Sequence, residues 1–180
     1  MTEPQGRIHY ENPFATPREL REPARQFRGR LAAPVTVWTA GGAATATGLT
    51  VSSVLVAEGR PALLLGLISP TSDLSDAIRS TGRFVVHVLG EGNETLAERF
   101  AGTRPSPGGL FAGLAAEASQ WGPVLLDFPD RAMCSLEEAA DVGYHVLVRS
   151  AVDEFTMSDF DEPLVYFRGR YRSASRRRQN

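Results

Sequence analysis

The densest run of chemically useful side chains lies between residues 45 and 53: Thr45, Thr47, Gly48, Thr50, Ser52 and Ser53, in the order Thr47-Gly48-Leu49-Thr50-Val51-Ser52-Ser53. Hydroxyls on a strand commonly pair with a neighbouring strand. Small side chains also let another group approach the backbone closely, and Gly48 most of all. A flat heteroaromatic ring with polar edges suits such a surface, because its carbonyls and ring nitrogens can meet backbone N–H groups and Ser hydroxyls. Further on, Ser69-Pro70-Thr71-Ser72 precedes a helical pattern. The free N–H groups and hydroxyls of such a helix start can cradle a phosphate, or simply cap the helix. Asp73 lies inside that cradle and opposes an anion.

Other chemistry is thinly represented. The chain has no G-x-G-x-x-G, G-x-S-x-G, H-E-x-x-H or C-x-x-C. Arg supplies all 19 basic residues, and the lack of Lys excludes a Walker-type phosphate loop, a Lys Schiff base and a Ser-x-x-Lys nucleophile. His9, His87 and His145 are far apart on different elements and read as strand or arm histidines, so no metal site is expected. Cys134, beside Met133 and near Leu136, reads as a buried, inert thiol. Near the C-terminus, period two would place Tyr166, Arg168, Arg170 and Arg172 on one face. That row either grips cofactor phosphates or forms a solvated edge balanced by the acidic stretch from Asp153 to Glu162.

These groups must be positioned by one ordinary domain: 180 residues, 42% apolar and 22% charged. A net charge of −2 gives no case for nucleic acid, and no apolar run is long enough to span a membrane. The single Cys and the polar N-terminus lead to a cytoplasmic expectation. Residues 1–16 read as an irregular arm, residues 17–172 as the domain, and residues 173–180 as a basic tail. From Pro17, Leu20, Ala24, Phe27 and Leu31 make a narrow helical stripe. Strands are expected at Val35–Thr39, Ala46–Val56, Pro61–Ile68, Phe84–Leu89, Arg131–Leu136, Gly143–Phe155 and Leu164–Tyr171. A capped helix should run from Ser72 to Gly82 and a short one around Leu96–Ala101, with loop over 102–122. Strands dominate without regular helix alternation, which argues for a barrel or sandwich over a doubly wound sheet.

The order of motifs resembles one family. Gly48-Leu49-Thr50-Val51-Ser52-Ser53 is followed by a Pro-led apolar strand (Pro61 to Gly66) and a Ser-capped helix ending Ser80-Thr81-Gly82. Arg83-Phe84-Val85-Val86-His87-Val88-Leu89, Leu96 to Ala101, Gly143-Tyr144-His145, and Pro163 to Tyr171 complete the set. Over residues 28–172 the chain is similar to flavin reductase-like, FMN-binding split-barrel proteins. The resemblance implies a mainly β, Greek-key split barrel with a few short helices, forming a homodimer with FMN (or FAD) near the subunit interface. It places Gly48, Thr50, Val51, Ser52 and Ser53 at the isoalloxazine ring and Ser72 at the phosphate, helped by Ser69 and Thr71. It places His145 near the nicotinamide of NAD(P)H. Three positions depart from the family pattern: Leu74 where a second hydroxyl is usual, His87 where Asn is usual, and Tyr144 in a Gly-Asp-His motif.

The implied activity is hydride transfer from NAD(P)H to flavin, with His145 orienting the donor or a proton-bearing water, and reduced flavin acting in place or leaving for a monooxygenase component. Two alternatives stay open: a non-catalytic flavin-binding electron carrier or sensor, and a split barrel that has exchanged FMN for another ligand. Neither involves nucleic acid or a membrane.

Overall fold

The computed structural model describes residues 23–160 and 162–174. The expected arm over 1–16, the helix start at Pro17, His9 and the tail beyond Ala174 lie outside the described residues. The elements run α1 (Pro23–Arg28), β1 (Ala33–Pro34), β2 (Thr36–Ala40), β3 (Thr47–Val51), β4 (Val54–Ala57), β5 (Leu63–Ile68), α2 (Asp73–Thr81), β6 (Arg83–Val88), α3 (Glu94–Phe100), β7 (Ala116–Ser119), β8 (Gly122–Leu125), β9 (Arg131–Val142), β10 (His145–Thr156), β11 (Leu164–Phe167) and β12 (Arg170–Ser173).

Seven strands form one antiparallel sheet in the order β3-β2-β6-β9-β10-β5-β4. Its two edge strands, β3 and β4, are consecutive in the chain and joined only by Ser52 and Ser53. The sheet must therefore curl until its edges meet, and the N–H of Leu67 on β5 donates to the Ser53 carbonyl at 3.0 Å across that seam. This is the mainly β split barrel that the sequence implies. The run Ala46–Val56, read as one strand, is two strands broken at the seam.

The barrel interior is built on Trp38 and Phe84, stacked with ring centroids 4.8 Å apart. Gly66 faces that indole; a Cβ there would collide with it and with the Ser53 carbonyl. Helix α2 plugs the interior with Leu74 and Ile78. Its ends form for local reasons: the Ser72 hydroxyl accepts from Ser75 N–H at 3.2 Å, and Gly82, at φ 68°, closes the helix with its N–H on the Ile78 carbonyl at 2.8 Å. Every residue of β2 is buried because both faces are covered. Trp38 and Ala40 face the barrel interior, while Val35, just before the strand, and Val37 pack with Phe100, Leu125 and Leu164 outside it.

Two further expectations fail. Within 102–122, read as loop, the chain forms β7, and with β8 it makes a hairpin that covers β6 and β9 through Val124, Val85 and Met133. Leu164–Tyr171 is not one strand either. The Arg168-Gly169 turn separates β11 from β12, so Tyr166 pairs with Tyr171 while Arg170 and Arg172 pair with Phe167 and Val165. The proposed row of Tyr166, Arg168, Arg170 and Arg172 on one face does not exist.

His87 ties three strands together. Its Nε2 accepts from Leu125 N–H at 3.0 Å, which leaves the proton on Nδ1, donated to the Val37 carbonyl at 3.1 Å. Burial, followed by the nearby Arg131 charge, outweighs the Val37 hydrogen bond and lowers its pKa to about 4. Beside the same strand Cys134 is fully buried, and burial pushes its thiol up to about 12, as expected of an inert cysteine.

Candidate functional site

Strand register brings the residues singled out from sequence to one rim. Ile68 pairs with Val146, so Ser69 and His145 are the next residues to emerge where β5 and β10 end. Val54 pairs with Gly66, and Ser53 bonds to Leu67, so the seam lies alongside the same end of β5. Ser52, Ser53, the Ser69–Ser72 loop and His145 therefore border a common margin, with α2 starting beside it.

Not all of the hydroxyl-rich strand is free to meet a ligand. Gly48 is small because Phe100 of α3 and the Trp38 carbonyl press on it: an added Cβ would stand 2.7 Å from the Phe100 ring and 2.8 Å from that oxygen. The close approach anticipated at Gly48 is made by the chain itself. Thr50 donates to the Ala97 carbonyl at 2.7 Å, which fastens α3 to β3. Val51 is buried in the core, and its carbonyl accepts from the Thr36 hydroxyl at 2.6 Å. Ser52 and Ser53 differ: both are half-buried, and neither hydroxyl has a hydrogen-bond partner among the described residues.

At the helix start, Ser72 is fully committed, accepting from Ser75 N–H and donating to the Ser69 carbonyl at 2.8 Å. Ser69 and Thr71 bond to each other at 3.1 Å on an exposed turn. The capping role is thus met. Asp73 and Asp76 fill the first turn of α2, so any phosphate there relies on N–H and hydroxyl donors rather than on cations of the helix. Leu74 is packed in the core and faces away from such a role.

His145 is half-buried, and its imidazole has no hydrogen-bond partner among the described residues. It follows a two-residue turn, Gly143-Tyr144, in which Gly143 takes φ 57°. Tyr144 is 81% exposed at the tip. No group of three His, Cys, Asp or Glu gathers to hold a metal among the described residues.

Ser52 and Ser53 carry hydroxyl donors, half-buried and without a partner among the described residues, that could meet acceptor atoms on the edge of a ring. Sequence reasoning missed the role of His87, whose two partners sit 50 and 38 residues away. It also missed the apolar outer sheet face, whose alternation shows only once the register is known.

Comparison with known proteins agrees with this geometry. The Flavin reductase like domain matches residues 28–175. The FMN reductase (NADH) RutF 1 of Methylorubrum extorquens is 31% identical over 152 residues, covering 84% of this chain and 76% of its own. The FMN reductase (NADH) RutF of Pseudomonas syringae pv. syringae is 31% identical over 148 residues, covering 82% and 83%. BorF, the flavin reductase component of a bacterial two-component tryptophan halogenase, superposes with a TM-score of 0.74 at 26% identity, covering 86% of this chain and 98% of its own. A curled sheet with a two-residue seam, and a domain match across nearly all of the described residues, lead to one conclusion: the chain belongs to the flavin reductase-like family.

Proposed function

We infer that the chain is an NADH-dependent flavin reductase acting on FMN. The observation that carries this reading is the seam, where Ser52 and Ser53 present unused hydroxyls beside the Ser69–Ser72 loop in a chain of this family. Bound flavin supplies the hard chemistry, accepting a hydride from the nicotinamide. The protein's part is to hold and orient. Ser52 and Ser53 donate to acceptors on the ring edge. Thr50 and Gly48 act behind them, keeping β3 clamped to α3 so that the seam is rigid. Ser69 and Thr71 offer hydroxyls to the phosphate, while Ser72 shapes the loop that carries them. His145, whose imidazole has no hydrogen-bond partner among the described residues, orients the nicotinamide or a proton-bearing water. NADH as donor is supported by the similarity to the RutF relatives, which are FMN reductases (NADH).

A homodimer is supported by the outer face of β4, β5 and β10. Leu55, Leu65 and Arg149 align across the three strands, and Leu63, Leu67 and Leu147 share that face. Leu55 is 73% exposed. Alternating residues on a sheet edge this apolar are what a second copy would cover. A second component that consumes reduced flavin fits the arrangement named for BorF. No helix among the described residues is long and apolar enough to cross a membrane.

The test is NADH oxidation by the purified chain, followed by absorbance with and without added FMN. FMN-dependent turnover is expected. A tightly bound yellow chromophore without turnover would make the chain an electron carrier or sensor. A colourless protein indifferent to FMN would mean that the seam takes another ligand.

A further inference from the structure

The small sheet β1-β11-β12 carries a patch that flavin reduction does not use. Its hairpin turns through Arg168 (φ 50°) and Gly169 (φ 78°). Positive φ at both central residues is type I′ geometry, which suits Asn-Gly and is strained for Arg. The Arg168 N–H donates to the Gly29 carbonyl at 2.8 Å, which sets the turn against Arg28-Gly29-Arg30 at the C-terminal end of α1. Arg170 and Arg172 follow on the face opposite the Tyr166–Tyr171 pair. The backbone thus brings Arg28 and Arg30 close to the hairpin that carries Arg168, Arg170 and Arg172, and all five residues are exposed.

None of the five has a carboxylate within ion-pair distance among the described residues; the observed ion pairs involve Arg79, Arg104 and Arg149. Arg168 rests on the Phe167 ring, 5.4 Å from its centroid, which leaves its charge uncompensated. Among the described residues, no carboxylate of the stretch from Asp153 to Glu162 pairs with these arginines; Asp153 accepts from Trp121 and Ser135. The whole chain is net negative by 2, so this patch is a local reversal of sign. Apolar residues flank Arg28 and Arg30 in the chain: Phe27 is 63% and Leu31 54% exposed. Arg set among aromatic and aliphatic side chains is the composition of a protein-binding face, and it differs from the purely polar tracks that follow a phosphate backbone.

We propose that the β11–β12 hairpin and the turn after α1 form a docking surface for a partner protein that presents carboxylates. The proposal stands independently of the flavin reading. Fluorescein-labelled poly-L-glutamate is the probe, titrated against the full chain by anisotropy, with single-stranded oligo-dT as the competing polyanion. Binding should weaken by about tenfold or more between roughly 20 and 150 mM salt. Arg170→Glu/Arg172→Glu should weaken it by at least ~10-fold, whereas Arg60→Glu/Arg83→Glu, an equal change of charge elsewhere, should stay within ~2-fold. Arg170→Gln/Arg172→Gln should show a smaller loss of the same sign, and NADH oxidation with free FMN should be unchanged in all three variants. Absence of binding, equal losses in the two charge-reversal variants, or tighter binding of oligo-dT than of poly-L-glutamate would each overturn the proposal. So would a ~10-fold rise in KM for NADH or FMN in the hairpin variants, which would make these arginines holders of cofactor phosphates.

Discussion

His87 and His145 are the same side chain placed in opposite circumstances. His87 is completely enclosed, and both ring nitrogens are spent on backbone groups of β2 and β8. His145 stands at the rim where β10 begins, half-buried and with no hydrogen-bond partner for its ring among the described residues. The same division runs through the hydroxyls. Thr36, Thr39 and Thr50 are tied to carbonyls of neighbouring elements. The hydroxyls of Ser52 and Ser53 have no partner among the described residues. The interior uses polar groups as fasteners, because a buried polar atom without a partner is costly. The rim can leave them open to solvent, and those are the groups available to a ligand.

Substitutions should separate the two regions. His87→Ala leaves a cavity and strands a buried N–H and a buried carbonyl, so a loss of about 4 kcal/mol is expected by urea unfolding. Gly48→Val forces a side chain against Phe100 and the Trp38 carbonyl and should cost about 3 kcal/mol by the same measurement. If Gly48 were small only for a ligand's sake, the apoprotein would tolerate valine. The pH profile sharpens the contrast further. Native His87 resists protonation down to about 4, while the unfolded chain takes up that proton near 6.5. Stability should therefore fall as pH drops from about 6.5 to about 4, by about 3 kcal/mol in total, and this contribution should be flat below that window and above it. Comparing His87→Gln across the same range isolates the effect.

At the rim, the effects move from stability to turnover. His145→Ala should lower kcat/KM for NADH by about 30-fold, near 2 kcal/mol, while urea stability changes by less than ~0.5 kcal/mol. A destabilised but fully active variant would reverse the assignment of the two histidines. Ser52→Ala and Ser53→Ala should each weaken FMN binding by about fivefold, near 1 kcal/mol, in a fluorescence titration, again with little change in stability.

Much of the barrel was legible because its pattern is local. The capped helix over 72–82 carries its own start and stop residues, and the run Leu63–Ile68 is apolar enough to read as a strand at sight. What stayed hidden depends on contacts distant in sequence. Nothing in Thr50-Val51-Ser52-Ser53-Val54 marks a break, because each residue is compatible with a strand; the break appears only when β3 and β4 are found at opposite edges of one sheet. Strand β8 contains Pro123 and is short, so it carries little periodic signal, yet it supplies the N–H that fixes His87. The sequence marks Gly48 as a place where a group can come close to the backbone, but only the fold shows Phe100 there. Arg168 illustrates the same limit: period two continues through a turn on paper, whereas the chain reverses there.

The two-residue bridge between β3 and β4 has a consequence for how this fold can vary. Each flanking ladder is fixed in register, Thr36 against Val51 on one side and Val54 against Gly66 on the other. Adding or deleting one residue between them would slip a whole strand and turn its inward side chains outward. The spacing of Ser52 and Ser53 is thus dictated by barrel closure before any ligand is considered. Descendants of this chain are free to change which side chains stand at the bridge, but not how many.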